Sequence, residues 1–220
     1  MTVLPVTLLV VAKAPEPGLA KTRLAATVGE RVAADIAAAA LLDTLDAVVA
    51  APVAARVVAL TGNLEAATGA AEIRRRLESC TVITQRGKDF GDRLANAHAD
   101  SANGYPVLQI GMDTPQVTAG LLAGCAKRLL AAPALLGPAC DGGWWVLGVA
   151  TPAMAECLRT VPMSRPDTGK LTLKALRANG IEVQLADELS DFDVVDDIAA
   201  VYSACAAESR FARVVRAAGL

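Results

Sequence analysis

Short apolar runs alternate with segments of helical spacing along most of the chain. Four runs rich in β-branched residues, each bounded by Gly, Pro or charged residues, predict buried strands at 7–13, 55–62, 81–86 and 106–113. Apolar residues spaced as on one helix face predict helices at 21–50, 65–78, 90–102 and about 118–131. This alternation favours a mainly parallel sheet that helices cover on both faces.

The second half of the chain continues the same alternation. The stretch "ALLGPACDGGWWVLGVA" at 134–150 predicts two strands around a glycine turn. A helix is predicted at 170–180, a strand at 181–189 and a last helix from 194 to about 208. The sequence contains no internal repeat, low-complexity segment or linker, so residues 1–220 are expected to form one α/β domain.

The charge pattern argues against a membrane protein. Within the most apolar stretch, 32–51, Asp35, Asp43 and Asp46 fall with Arg31 on one side of a helix, which is typical of a globular helix. The first residues carry no charged region ahead of their short apolar run, unlike a secretory signal. The expected compartment is therefore the cytoplasm.

Cysteine and histidine usage excludes several kinds of site. The chain has five cysteines and one histidine. The cysteines are widely spaced without a CxxC motif, so neither a zinc site nor a disulfide framework is expected. His98 is predicted to occupy a solvated position of the 90–102 helix. Basic patches with interleaved aromatic residues are missing from the sequence, so nucleic acid is not an expected partner.

The stretch "VVAKAPEPGLAKTRLAA" at 10–26 places unusual positive charge in one connection, although the formal net charge is −2. Gly18 and two prolines shape a loop, around which lie Lys13, Lys21 and Arg23. Cations at a helix start are unfavourable unless an anion joins them, which favours a phosphate cradle. It is neither GxGxxG nor GxxxxGK[ST]. The alternative is a rigid loop with solvated cations.

Asp113 ends a buried strand in "IGMDTP", and Pro115 turns the chain away. Ligands of such sheets bind beyond the carboxyl ends of the strands. A carboxylate there is suited to magnesium, which prefers one or two carboxylates with phosphate oxygens and water. The alternative is an aspartate that caps the next turn.

Asp141 precedes two glycines in "GPACDGGWWVLGV" and could bind a ligand hydroxyl. Gly142 and Gly143 permit a close approach of the backbone. Trp144 and Trp145 are predicted to point to opposite faces of a strand. Asp-Gly is also a common hairpin turn, so the same residues fit a purely structural role.

A second acidic group lies in "LSDFDVVDDIAAVYSAC". Asp193 stands where the cap of the next helix is expected, and Asp196 and Asp197 fall in its first turn. Asp191 lies outside that helix, and capping does not explain it. Asp191 and Asp193 flank Phe192 and could both face a shared magnesium site.

Six motifs occur in family order: "KAPEPGLAKTRL", "GKDFGDRLANA", "IGMDTP", "GPACDGGWWVLGV", "MSRPDTG" and "DFDVVDD". Through them nearly the whole chain resembles the bacterial glycosyltransferase-A-like family of transferases associated with radical-SAM and selenium-domain proteins. That family is similar to the guanylyltransferases of the deazaflavin-cofactor and molybdenum-cofactor pathways. The resemblance implies a three-layer Rossmann-like fold of the nucleotide-diphospho-sugar transferase (GT-A) type, with a mainly parallel sheet and one antiparallel strand.

The resemblance also implies roles for individual residues. The phosphates of a nucleotide would be bound by Lys13, Gly18, Lys21 and Arg23, and its pocket lined by Gly91 and Arg93. Metal would be held by Asp113, Asp191 and Asp193. The acceptor side would comprise Asp141, Gly142, Gly143, Thr168 and Gly169. The chain departs from the family pattern at Trp144, where tyrosine is common, and at Val194, where threonine is common.

The first functional hypothesis is a magnesium-dependent transferase, with manganese as the alternative metal. It would move a nucleotidyl group from a nucleoside triphosphate to a small phosphorylated or hydroxylated acceptor, with Lys21, Arg23 and Asp113 as catalytic residues. One alternative is glycosyl transfer from a nucleotide sugar. Another is a nucleotide-binding protein without turnover. The partners are a nucleotide and a small acceptor, and the sequence leaves monomer or homodimer open.

Overall fold

Strands and helices alternate along residues 2–220, which the computed structural model describes. The strands are β1 (Leu4–Lys13), β2 (Val53–Thr61), β3 (Thr81–Thr84), β4 (Val107–Ile110), β5 (Ala134–Pro138), β6 (Trp144–Val149) and β7 (Val183–Leu185). The helices are α1 (Thr22–Val28), α2 (Glu30–Ala50), α3 (Ala70–Leu77), α4 (Phe90–Asp100), α5 (Ala119–Leu130), α6 (Thr168–Ala178), α7 (Val195–Ala204) and α8 (Arg210–Ala217). Short 3-10 helices cover Leu64–Ala66 and Pro152–Thr160.

The seven strands form one sheet in the order β3-β2-β1-β4-β6-β5-β7. β6 runs antiparallel to both of its neighbours, β4 and β5, while the other pairings are parallel. The prediction of a mainly parallel sheet with one antiparallel strand is therefore confirmed. The carboxyl ends of β1 to β4 lie together at one edge of the sheet.

The core lies on both faces of the sheet, because the central strands are apolar at consecutive positions. In β1, Val10 belongs to the cluster on one face and Leu9 to the cluster on the other. Helices α2, α3 and α5 cover the first face, and α4, α6 and the 152–160 segment cover the second. A third cluster joins α1, α2, α7 and α8 around Phe192 and Phe211, whose rings lie 5.1 Å apart. The result is a three-layer arrangement.

The helix predicted at 21–50 is wrong as a single element. It begins at Thr22 and is interrupted at Gly29, which has φ 86° and ψ 155°. Only glycine adopts such a conformation without strain, so the chain changes direction there. Lys21, which precedes the first helix, is left-handed at φ 47° and ψ 51°.

Helix α8 was not predicted, and its position depends on acids of α2. The Asp43 carboxylate accepts hydrogen bonds from the backbone N–H groups of Arg210 and Phe211 at 3.2 and 2.8 Å. The Arg210 guanidinium donates to Asp46 at 2.6 Å and to Glu72 at 2.9 Å. The acidic side of α2 therefore anchors the last helix of the chain.

The expected solvated position of His98 is wrong. His98 is fully buried and lies one turn after Leu94, on the face of α4 that packs on the sheet. Burial lowers the pKa of His98 to about 4, and nearby Gln109 opposes the shift only weakly. Within residues 2–220 neither ring nitrogen has a partner with hydrogen-bond geometry. His98 is therefore neutral in the folded protein.

Acidification is expected to destabilise the protein through His98. The unfolded chain binds a proton as the pH falls below about 6.5, whereas the folded state binds it only near pH 4. The free energy of unfolding should therefore fall by about 1.4 kcal/mol per pH unit across that range. Urea unfolding at pH 7 and pH 5 measures the loss, which H98N should reduce. An equal loss in both proteins would contradict the assignment.

Within residues 2–220, no helix combines the length and the apolar character that crossing a bilayer requires.

Candidate functional site

A crevice of about 880 Å³ opens at the carboxyl ends of β1 to β4. Its walls come from the loops that follow these strands, from the start of α4, and from segments around Asp141, Pro166 and Asp191. Open α/β sheets bind ligands at this edge because the loops there diverge and leave a depression. The volume is within the range of small-molecule sites.

The structure brings most of the predicted site residues to this crevice. Those that line it are Lys13, Lys21, Arg23, Arg93, Asp113, Asp141, Gly143, Thr168, Asp191 and Asp193. Four others lie outside its lining: Gly18, Gly91, Gly142 and Gly169. Cations from the start of the chain and acids from its middle and end thus share one cavity.

Lys21 connects the two acidic segments of the crevice. Its ammonium group donates to Asp113 Oδ2 at 2.6 Å and to Asp193 Oδ1 at 2.8 Å. It also donates to the Phe192 carbonyl and lies 4.4 Å from the centre of the Phe192 ring. An ammonium has three donors, so protein groups account for all of them. In this conformation Lys21 binds carboxylates rather than phosphate.

The environment of Lys21 holds its positive charge. The side chain is only 8% exposed. Burial acts to lower the pKa of Lys21, but the charges of Asp113 and Asp193 outweigh it, so the pKa lies above its usual value.

Two arginines of the crevice are only partly paired with other protein groups. Arg23 Nη1 lies 3.2 Å from Asp193 Oδ2, and the arginine side chain is 66% exposed. Arg93 lies 5.5 Å from the centre of the Phe90 ring, and its buried Nε has no hydrogen-bond partner within residues 2–220. Because neither guanidinium is fully paired, both can bind an anion.

The expected N-cap role of Asp193 is wrong. Helix α7 begins at Val195, and the Asp197 carboxylate accepts the N–H groups of Asp193 and Val194 at 2.8 and 3.0 Å. The Asp193 carboxylate therefore does not cap α7 and instead pairs with Lys21 and Arg23.

Asp191 lies in the same crevice but has a different electrostatic environment. Burial raises its pKa to about 6, and the charges of Asp141 and Asp113 add to the effect. The charge of Lys21 opposes it only in part. Negative charge is thus in excess where these three carboxylates approach one another.

The acidic groups fit a divalent cation. Asp113 and Asp193 present oxygens to the same point, which the Lys21 ammonium occupies, so the two carboxylates lie close enough to share one cation. Within residues 2–220, no group of three or more His, Cys, Asp and Glu side chains could hold a metal ion. Magnesium commonly uses one or two carboxylates with phosphate oxygens and water. A complete site would therefore need a ligand's phosphates.

The segment around Gly142 is packed tightly against the loop before α6. Gly142 has φ 89°, and a Cβ there would lie 1.9 Å from the Pro166 carbonyl oxygen. A Cβ on Gly169 would lie 2.4 Å from the Gly143 carbonyl oxygen. Asp141 Oδ1 accepts the Gly143 N–H at 2.7 Å. The turn between β5 and β6 thus has the hairpin role and also presents Asp141 to the crevice.

Other predicted residues also have packing roles. A Cβ on Gly91 would lie 2.5 Å from the Leu158 carbonyl oxygen, so Gly91 permits the 152–160 segment to approach α4. Thr168 Oγ1 donates to the Pro162 carbonyl at 2.9 Å. Trp144 Nε1 donates to Thr172 Oγ1 and Trp145 Nε1 to the Asp187 carbonyl, which agrees with opposite faces.

Sequence reasoning missed several residues of the crevice. Glu16 and Gln85 line it beside β1 and β2, and Leu19 and Phe90 line it with apolar surface. The sequence does carry a signal for Glu16, because it is an acid inside a cation-rich loop. Gln85 carried no sequence signal, because its position depends on β3 lying beside β2.

Solved structures with a similar fold include a protein from Desulfovibrio desulfuricans G20 that is provisionally called a nucleotide-diphospho-sugar transferase. Its TM-score is 0.82 at 23% identity, covering 96% of this chain and 94% of that one. CMP:2-keto-3-deoxy-manno-octonic acid synthetase in complex with CTP has a TM-score of 0.54 at 12% identity, covering 86% and 93%. Rv0371C from Mycobacterium tuberculosis H37Rv in complex with manganese has a TM-score of 0.51 at 19% identity, covering 90% and 97%. These likenesses confirm the predicted fold class.

A family model matches residues 44–165, a little more than half of the chain. The model is described as "Uncharacterized protein conserved in bacteria (DUF2064)". No curated protein matches the sequence.

Proposed function

The chain belongs to this bacterial family (DUF2064), and we propose that it is a transferase that uses a divalent metal and a nucleoside triphosphate. It moves the nucleotidyl group to a small acceptor that carries a hydroxyl or a phosphate. Residues 1–220 act as one domain in this proposal. The association with radical-SAM and selenium-domain proteins stays a prediction.

One observation carries the proposal: Lys21 bridges Asp113 and Asp193 inside a crevice that Arg23 and Arg93 also line. A triphosphate with its metal supplies charges of both signs, so it can pair with both sets of side chains. A cation-rich loop suits a triphosphate better than a diphosphate, because the triphosphate carries more negative charge. The complex of a structural relative with CTP supports a nucleotide ligand.

The reaction needs positioning and charge stabilisation more than covalent chemistry by the protein. An acceptor oxygen attacks the α-phosphorus, a new P–O bond forms, and the bond to the β-phosphate oxygen breaks. Pyrophosphate leaves with the electron pair of that bond. In this proposal Arg23 and Arg93 bind the phosphate oxygens, and the acceptor binds on the side of the crevice that Asp141 and Thr168 line.

Asp113 and Asp193 would hold the metal, with Asp191 nearby. A bound divalent cation neutralises negative charge on phosphate oxygens. The manganese complex of a structural relative supports a divalent metal in this fold. The Lys21 ammonium lies between these carboxylates. Asp113 and Asp193 would therefore hold a metal only once Lys21 has moved, and Lys21 would then be available to a phosphate oxygen.

Glycosyl transfer is the second candidate, because a structural relative is provisionally called a nucleotide-diphospho-sugar transferase. It would use the same crevice, with a nucleoside diphosphate as leaving group. The two reactions differ in their released product.

Ligand screening followed by product analysis tests the proposal. A thermal-shift panel of nucleoside triphosphates and nucleotide sugars, with and without magnesium, identifies the donor, since a ligand of the folded state raises its stability. We expect a triphosphate to give the largest magnesium-dependent shift and pyrophosphate to be released with a matching acceptor. Release of a nucleoside diphosphate would favour glycosyl transfer. If no nucleotide or nucleotide sugar shifts the melting temperature, both nucleotidyl transfer and glycosyl transfer are contradicted.

A further inference from the structure

Gln109 is a polar residue within a buried strand. β4 lies between β1 and β6, and its other three residues are apolar and 0% exposed: Val107, Leu108 and Ile110. Gln109 itself is only 2% exposed, yet it lines the crevice. A strand that is buried on both faces favours an aliphatic residue at every position, so packing alone does not explain an amide here.

The amide oxygen of Gln109 is buried and has no hydrogen-bond partner within residues 2–220. Burying a polar group without a partner costs free energy that an aliphatic side chain of similar length would not cost. Such groups are rare in native proteins, and binding sites are a place where they occur. The residue type at this position therefore points to a ligand.

His98 is a second buried polar group and lies beside Gln109. It belongs to α4, and neither ring nitrogen has a partner among the described residues. The Gln109 side chain raises the pKa of His98 against the larger, opposite effect of burial, as an oxygen that faces the ring does. A neutral imidazole has one N–H group, so a small rotation of the amide would let Gln109 Oε1 accept it. Both Nε2 hydrogens would then remain for a ligand.

The crevice is open just beyond Gln109. Gly111 lies two positions further along the chain and also lines the crevice. A Cβ on Gly111 would have only the Asp113 backbone nitrogen within 4 Å, at 3.9 Å. Since no other group fills this space, a ligand has room at the end of β4.

Gln109 and the proposed acceptor residues lie on the same face of the sheet. Gln109 meets His98 of α4, and α4 and α6 cover that face. Val11 and Leu94 of its apolar cluster line the crevice, and Trp144 packs against the cluster. The Trp144 indole N–H donates to α6, the helix that begins at Thr168. Gln109 therefore borders the acceptor side.

An amide N–H is an uncharged donor and suits an uncharged oxygen. Arg23 and Arg93 already line the crevice as donors for anions. A hydroxyl oxygen accepts a hydrogen bond from the amide without placing a charge beside apolar side chains. The ligand group that fits Gln109 best is therefore a hydroxyl.

We propose that Gln109 binds an uncharged hydroxyl of the acceptor and that His98 is the positioning residue for its amide. The inference rests on the proposed function. With the acceptor bound, Gln109 Oε1 accepts the His98 N–H and Nε2 donates to the hydroxyl oxygen. This hydroxyl is separate from the oxygen that attacks the phosphorus near Asp113. The acceptor therefore carries at least two oxygen groups.

Nuclear magnetic resonance of the unmodified protein tests the site directly. The Gln109 side-chain NH2 gives a pair of ¹H–¹⁵N signals, which Gln109→Met assigns by removing them. Glycerol is the uncharged hydroxyl probe, and inorganic phosphate is the charged one. Glycerol should shift this pair saturably and more than phosphate does, while the exposed Asn179 amide serves as reference in the same spectrum. A response no different from that of Asn179, or a larger response to phosphate, would overturn the inference.

Gln109→Met separates a binding role from a structural one. Methionine has a similar length without the unpartnered amide, so the melting temperature should stay unchanged or rise by up to about 3 °C. With the acceptor that screening identifies, the acceptor KM should rise about tenfold or more, and the donor KM should stay within about threefold. A lower melting temperature with an unchanged acceptor KM would show a purely structural role.

Thr44→Val is the matched control. It removes the hydroxyl of Thr44, which is also buried without a partner within residues 2–220 but lies outside the crevice lining. Both KM values and the glycerol response should be retained. A rise in acceptor KM equal to that of Gln109→Met would contradict a specific role of Gln109.

Two substitutions test the role of His98. His98→Leu removes the ring N–H and should reduce the glycerol-induced shift of the Gln109 signals at least about threefold, while His98→Asn keeps an N–H donor and should restore it. Equal responses of the two variants would exclude His98 as the positioning residue. If His98→Leu does not fold, His98→Asn alone still has to reproduce the response of the unmodified protein.

Failure of this inference can be distinguished from failure of the proposed function. The glycerol titration needs no nucleotide, so it decides the hydroxyl site by itself. Donor and acceptor KM values that rise equally in Gln109→Met would overturn the acceptor assignment and leave the transferase proposal standing. Binding of no nucleotide would overturn the proposed function, and with it the assignment of the hydroxyl to an acceptor.

Discussion

Replacing Lys21 by methionine is expected to destabilise the unliganded protein by about 2 kcal/mol. The substitution leaves Asp113 and Asp193 close together without the cation that they share. Loss of one partner of a fully buried pair costs about 3–5 kcal/mol. These carboxylates retain 35% and 48% exposure, so water compensates part of the loss. Urea unfolding measures the difference.

The same variant should respond to magnesium without nucleotide. With the ammonium gone, a divalent cation competes for the two carboxylates with water and with the exposed Arg23, which still pairs with Asp193. Lys21→Met should therefore gain more thermal stability from magnesium than the unmodified protein does. Its affinity for a triphosphate should fall, because a phosphate contact is lost.

Lys13→Met is the matched control, since Lys13 ends β1 just before the same loop and donates to the Leu19 carbonyl at 2.7 Å from an exposed position. It should change the free energy of unfolding by no more than about 0.5 kcal/mol. Unchanged stability of Lys21→Met together with no magnesium response would contradict the shared-cation role.

Asp113→Asn is expected to reduce nucleotidyl transfer by about a thousandfold. The amide replaces a charged oxygen at the point where Lys21 is bound and where a metal would be held. Pyrophosphate release measures transfer with the donor and acceptor that screening identifies. Manganese titration followed by electron paramagnetic resonance, with the nucleotide present, should show metal affinity reduced by at least about tenfold.

Asp196→Asn is the control for this substitution. Asp196 is an exposed acid in the first turn of α7, outside the crevice lining. Its loss removes the same charge from the chain at a different place, so transfer and metal affinity should be retained. Transfer at the normal rate in Asp113→Asn would exclude Asp113 from the catalytic machinery.

The charge arrangement explains why a chain of net charge −2 concentrates cations in one loop. Lys21 and Arg23 neutralise acids that lie far away in the sequence. The cations and the acids therefore lie in one crevice. In the proposed function a polyphosphate with its metal replaces this pairing, since the phosphates bind the cations and the metal binds the acids. The Lys21 and Asp113 substitutions measure the cationic and the acidic part separately.

Local pattern was sufficient for much of the fold. The β-branched runs predicted β1 to β4, because a strand buried on both faces must be apolar at consecutive positions. The pattern failed at three other elements. The 21–50 helix is interrupted at Gly29, and the 181–189 strand is shortened to Val183–Leu185. Helix α8 was missed, because acids of α2 and not an obvious local signal position it.

The candidate site likewise has features that the sequence predicted and features that it did not. The sequence by itself located polar residues after apolar strands, which the rule for ligand positions in α/β sheets makes meaningful. It also singled out Lys21 and Asp113, and Asp191 as the acid that helix capping does not explain. It did not predict that His98 is buried, because that depends on which face of α4 meets the sheet.

Only the tertiary structure decided that Lys21 pairs with Asp113 and Asp193, which are 92 and 172 positions away. It also decided that Glu16 and Gln85 line the same crevice. Hydrophobic periodicity is a local property that fixes which residues each element buries. Contacts between distant residues depend on strand order, and the packing of the whole chain selects that order.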